Sequence, residues 1–152
     1  MATPFSSIYD LALVSIKDFR LDKLYISSPT DFYNVLYGYL RKAIPNFTTC
    51  KTDLSDRTTD PETGQFNNTL TDIEVEILSK YFVLEWLTSQ TLISQELGLL
   101  LNDTDFKHTS EANVLNAKTA LKAKMQEELD YLLVQYGLAT TDWSAWASGN
   151  FF

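Results

Sequence analysis

The feature that most constrains this chain is the run Tyr81-Phe82-Val83-Leu84-Glu85-Trp86-Leu87, which is apolar nearly all round a helical wheel. A helix with one apolar stripe can lie on a surface, whereas one that is apolar on every side has to be covered from several directions. A strong start signal lies just upstream. Thr71 as N-cap and Glu74 three residues later make a capping box, and Leu70 and Val75 are placed to form a hydrophobic staple. The helix is expected to run to about Thr91, with residues 92–101 continuing as a broken or second helical segment.

The segments that would cover it also read as helices. Near the N-terminus Ser7 can act as a cap, with Asp10 as a weaker partner, and Ile8, Tyr9, Leu13, Ile16 and Phe19 recur at helical spacing. Residues 20–27 read as a connection in which Leu24-Tyr25-Ile26 could be extended. Ser28 is a good N-cap, Pro29 sits where its missing N–H costs nothing, and Asp31 suits the positive end of a helix dipole. That helix presents Phe32, Val35, Leu36, Tyr39, Leu40 and Ile44, stops at Pro45, and carries Gly38, which would permit close helix–helix approach. The last helix is expected to begin near Thr109 or Ser110 and end at Gly137, with Val114, Leu121, Met125, Leu129, Leu132 and Tyr136 as its core stripe.

Residues 48–69 form one long polar stretch whose Asp-Pro and Thr-Gly steps favour turns, and it exceeds the usual ~12–15 residues of a structureless connection. The fold expected is all-α, a bundle of four to five helices with a long polar loop and an extended aromatic C-terminal tail. Residues 1–141 make the helical domain and residues 142–152 a docking tail.

Composition narrows the function classes. The formal net charge is −8 and no Lys/Arg stripe is present, so tight DNA binding is disfavoured. No apolar run approaches the ~20 residues of a bilayer span, and the first residues lack a secretory signal, so a cytoplasmic, non-membrane protein is expected. The single cysteine, Cys50, excludes an intramolecular disulfide and a thiolate metal cluster.

His108, the one histidine, lies in a polar turn near Asp103 and Asp105, without the oriented partner that acid–base catalysis needs, and reads as a solvated loop residue. Cys50 beside Lys51 reads as an incidental thiol rather than a nucleophile. Asp53, Asp56, Asp60 and Glu62 lack the spacing and central glycine of a calcium loop. Glu85 inside the apolar run faces outward or pairs with a base such as Lys80 or Arg41. No catalytic residue, cofactor or metal site is therefore expected, and the chain reads as a non-enzyme. The tail differs: Trp143, Trp146, Phe151 and Phe152 are large aromatics in a segment too short to make its own core. Such side chains anchor interfaces, so these four are the candidate partner-binding residues; folding back as a cap on the bundle is the alternative.

Three segments together resemble the small helical head-to-tail connector (adaptor, or head-completion) proteins of tailed bacteriophages. They are Lys51-Thr52-Asp53-Leu54-Ser55-Asp56-Arg57; the stretch from Phe66-Asn67-Asn68-Thr69-Leu70 through Asp72-Ile73-Glu74 to Leu84-Glu85-Trp86-Leu87; and Asp105-Phe106-Lys107 with Ser110, Ala112, Asn113 and Leu115. The match spans roughly residues 28–136, and both ends fall outside it. The resemblance implies a virion protein, assembled in the host cytoplasm, that forms a homo-oligomeric ring in the neck below the portal. It implies that the ring extends the DNA channel and meets the portal protein and a stopper or tail-completion protein, while DNA passes without sequence-specific binding. A different helical tail-completion or baseplate component uses the same features. A small ligand-binding bundle or enzyme would need convergent polar groups in a pocket, and a DNA-binding regulator a basic recognition helix.

Overall fold

The computed structural model describes the backbone of residues 1–100 and 105–149, and the side chains of residues 1–93 and 113–149. Six α-helices are found among them: α1 (Phe5–Ser15), α2 (Phe19–Ser27), α3 (Pro29–Ala43), α4 (Asp72–Leu100), α5 (Asp105–Thr140) and α6 (Trp143–Ala147). A 3-10 turn, Ile44–Asn46, follows α3, and β1 (Thr3–Pro4) pairs antiparallel with β2 (Gln65–Phe66). The all-α expectation holds, and no helix among the described residues is long and apolar enough to cross a membrane.

α4 is the centre of the bundle, packed against α1, α3 and α5, while α2 packs on α3. Ile77, Leu78, Phe82, Val83, Leu84 and Leu87 are buried, as an all-round apolar helix requires, but Trp86 is only partly covered. Phe5, Ile8 and Tyr9 of α1, Leu36 and Leu40 of α3, and Leu129 and Tyr136 of α5 complete the core. Ser28 caps α3 as its chemistry dictates, its hydroxyl accepting from the Asp31 N–H at 3.4 Å, with Pro29 in the first turn.

Several local expectations are corrected. α1 begins at Phe5 with Pro4 at the N-cap, so Ser7 lies inside the helix; the short β1–β2 ladder fixes this entry and drives Phe5 into the core. Phe19 opens a separate helix, and Leu24-Tyr25-Ile26 is helical. Asp18 caps α2 by accepting from the Arg20 N–H at 2.9 Å. The helix buries Leu21 and sets Tyr25 edge-on to Phe32 with centroids 5.1 Å apart. The Asp18 cap, the burial of Leu21 and the Tyr25–Phe32 contact thus outweigh the extended preference of that run, although Tyr25 and Ile26 stay more than half exposed. Gly38 faces open space and brings no helix close. α4 runs unbroken to Leu100.

Gly137 does not end α5. It keeps helical backbone, and the positive-φ glycine among the described residues is Gly149. Burial of Tyr136 holds the last turns, and the Thr140 and Thr141 hydroxyls cap the carbonyls of Tyr136 (2.8 Å) and Gly137 (2.6 Å). In the expected core stripe of α5, Val114 and Leu121 are exposed, because the stripe is fully covered only lower on the helix at Leu129 and Tyr136.

Residues 48–69 fold tightly onto the N-terminus. Phe66 is buried against Phe5 with centroids 5.1 Å apart, the Tyr9 hydroxyl donates to the Pro61 carbonyl at 3.0 Å, and the Phe5 N–H donates to the Gly64 carbonyl at 3.0 Å. Gly64 is demanded by packing: a Cβ there would collide with the Asp60 carbonyl and the Phe5 ring.

Candidate docking surfaces

The tail begins where Asp142 turns the chain. Its Oδ1 accepts from the Ser144 and Ala145 N–H groups at 3.0 and 3.1 Å, and from the Ser144 hydroxyl at 2.6 Å, so the tail carries the short helix α6. These bonds, the Ser144 hydroxyl first, hold the Asp142 carboxyl below the usual carboxylate range. The Trp143 indole N–H donates back to the Leu138 carbonyl at 3.1 Å, which fixes α6 against the end of α5. Trp143 and Trp146 meet edge-to-face at 6.4 Å.

This pair sits off the bundle. Trp143 is 54% and Trp146 60% exposed, and α6 buries none of its residues. Neither tryptophan is part of the buried core, while Trp143 folds back on the Leu138 carbonyl. Phe151 and Phe152, the other two candidate anchors, lie outside the described residues, as does the side chain of His108. Of the four candidates, Trp143 and Trp146 are the described pair.

A second exposed apolar set was missed in the sequence. Tyr131, Val134 and Leu138 lie on the outer face of α5 and are more than half exposed. Their spacing of three and four residues was visible, but the competing stripe through Leu129 and Tyr136 took precedence as the core.

The residues considered for chemistry are absorbed into structure. The Cys50 thiol donates to Glu74 Oε2 at 3.6 Å, and burial pushes it up to about 11. Glu74 is not the reciprocal half of a capping box: its N–H donates to the Thr71 hydroxyl at 3.4 Å, but its carboxylate is buried and accepts from Cys50 and Tyr136. Asp53 accepts from the Ser55 N–H at 2.9 Å, Asp56 from the Asn67 amide at 2.8 Å, and Asp60 from the Glu62 and Thr63 N–H groups at 3.0 and 2.8 Å. Hydrogen bonds from Ser55 and Thr63 hold Asp53 and Asp60 low. Among the described residues no group of three or more His, Cys, Asp or Glu side chains is arranged to hold a metal. Glu85 takes neither proposed base; it accepts from the Asn46 amide at 3.1 Å, while Lys80 pairs with Glu128 at 3.7 Å.

Among the described residues, open clefts indent the surface. One of about 320 Å³ lies between α1, α2 and α3, lined by Leu13, Leu21, Tyr25 and Phe32. The Asp18 carboxylate beside it is engaged with the Trp86 indole at 3.1 Å and the Gln90 amide at 3.3 Å. A second, about 380 Å³, runs between Thr49, Lys51 and the last turns of α5. A third, about 130 Å³, lies between Leu11, Val14, Val83 and Met125. Comparison with family models, with curated proteins and with solved structures gave no match.

Proposed function

We propose that this chain is a structural protein of the tailed-bacteriophage neck, the subunit of a ring that lies below the portal, extends the DNA channel and joins head to tail. The observation that carries the reading is the capped aromatic helix α6, whose Trp143 and Trp146 are ordered yet more than half exposed. Two large aromatics held in fixed geometry outside the core are a docking device, because their burial by a partner offsets the entropy lost on assembly. The next ring subunit or the portal protein is the surface they anchor on, with Phe151 and Phe152 extending the anchor.

Two further features support the reading. The three segments that resemble the connector proteins fall in residues 51–57, 66–87 and 105–115. A net charge of −8 suits a wall past which DNA must slide, since an acidic surface repels phosphate rather than trapping it. The chain acts here by contact, without a reaction of its own, and a stopper or tail-completion protein meets its other face. Image reconstruction of the neck in particles containing this chain tests the proposal. A closed ring of this chain directly beneath the portal is expected. Particles whose neck lacks it, with the chain found in the baseplate or absent from the virion, would refute the assignment.

A further inference from the structure

α5 carries two apolar stripes, and the bundle covers one of them. Leu129 and Tyr136 face α4 and are buried, whereas Tyr131, Val134 and Leu138 on the opposite face are 67%, 60% and 53% exposed. Their alternating spacing of three and four residues is that of a coiled-coil seam. Continued towards the start of the helix, the same spacing passes through Glu127, Lys124, Ala120, Ala117 and Asn113, all exposed.

Charge says what fits this face. Between residues 113 and 124 the charged side chains are Lys118, Lys122 and Lys124; between residues 127 and 149 they are Glu127, Glu128, Asp130 and Asp142. Over residues 113–138, the stretch the seam occupies, α5 is basic in its first part and acidic in its second, and such a stretch is complementary to itself when reversed. The seam has the same property residue by residue. Reversed about the point between Met125 and Gln126, Tyr131 falls opposite Ala120, Val134 opposite Ala117 and Leu138 opposite Asn113. Each bulky apolar side chain thus meets a smaller one, and Lys124 meets Glu127 twice, once on each side of the axis. A parallel pair would instead set Lys124 on Lys124 and Glu127 on Glu127.

We propose that the outer face of α5 is a self-association surface that takes the same face of a second copy of this chain, antiparallel, about a two-fold axis at the level of Lys124 and Glu127. Such an isologous contact closes as a dimer and does not propagate. It is therefore a different contact from the one that propagates a ring; it adjoins the tail at Leu138, whose carbonyl accepts from the Trp143 indole at 3.1 Å, and it stands independently of the neck assignment.

Sedimentation equilibrium of the full chain tests the proposal, with circular dichroism to check that each variant keeps its helices. The chain is expected to dimerise. Lys124→Glu and Glu127→Lys each place like charges together at both symmetric positions, and each should weaken the dimer about tenfold, or ~1.4 kcal/mol. An equimolar mixture of the two variants should recover wild-type association, because every reversed residue then meets its opposite charge. Monomers at all concentrations, a dimer indifferent to both reversals, or a mixture no stronger than the single variants would each overturn it.

Discussion

The hydroxyl of Tyr136, in the last turns of α5, donates to Glu74 Oε1 in the first turn of α4 at 3.4 Å, with both side chains buried. The same hydroxyl accepts from the Lys51 N–H at 2.7 Å, and the Cys50 thiol donates to the other Glu74 oxygen. One side chain thereby ties the start of the long loop, the head of the central helix and the end of the last helix. Removing it by Tyr136→Phe leaves the ring packing in place and strips hydrogen bonds from two partners. We expect a loss of about 2 kcal/mol in urea denaturation. An unchanged midpoint would show that water replaces the hydroxyl at no cost.

The same cluster sets an alkaline limit. Burial pushes the Cys50 thiol up from its ordinary 9.0 to about 11 and the Tyr136 phenol from 10.0 to about 12. Each group holds its proton more tightly folded than unfolded, so the folded state binds more protons in that window, and stability falls as pH rises through it. The melting temperature should therefore stay level up to about pH 9 and decline from there towards pH 12. A Cys50→Ser, Tyr136→Phe double variant should show a shallower decline. A decline of equal steepness in the double variant would assign it elsewhere.

Asp18 links two helices by serving both as the cap of α2 and as acceptor for the Trp86 indole at 3.1 Å. Because Trp86 is partly rather than fully buried, Trp86→Ala should cost about 3 kcal/mol, at the low end for an aromatic truncation. Trp86→Phe, which loses chiefly the N–H, should cost about 1 kcal/mol. A double-mutant cycle of Asp18→Ala with Trp86→Phe should give a coupling of about 1 kcal/mol, and strict additivity would mean the bond contributes nothing.

Parts of this fold were legible because a single local interaction decides them. Ser28, Pro29 and Asp31 specify a helix start by backbone chemistry alone, and residues 81–87 can only be a helix covered on several sides. α2 was not legible, since Leu24, Tyr25 and Ile26 favour an extended chain until Leu21 and Tyr25 find α3. Glu74 read as half of a capping box because its partners, Cys50 and Tyr136, are remote in sequence. Gly137 looked like a helix stop for the same reason: the burial of Tyr136 that carries α5 past it is a tertiary fact. At the tail, the aromatic content was visible but the ordered helix beneath it was not, because that rests on Asp142 capping a segment that lacks an apolar period of its own.

Deletion of residues 143–152 tests the docking account most directly, read by two measurements on the same protein. The account predicts that helicity and melting temperature stay nearly unchanged, because Trp143 and Trp146 are more than half exposed and no residue of α6 belongs to the buried core, while joining of heads to tails is abolished. If the truncated chain unfolds, or if it folds and still supports complete particles, the aromatic tail is not the docking element and the account fails.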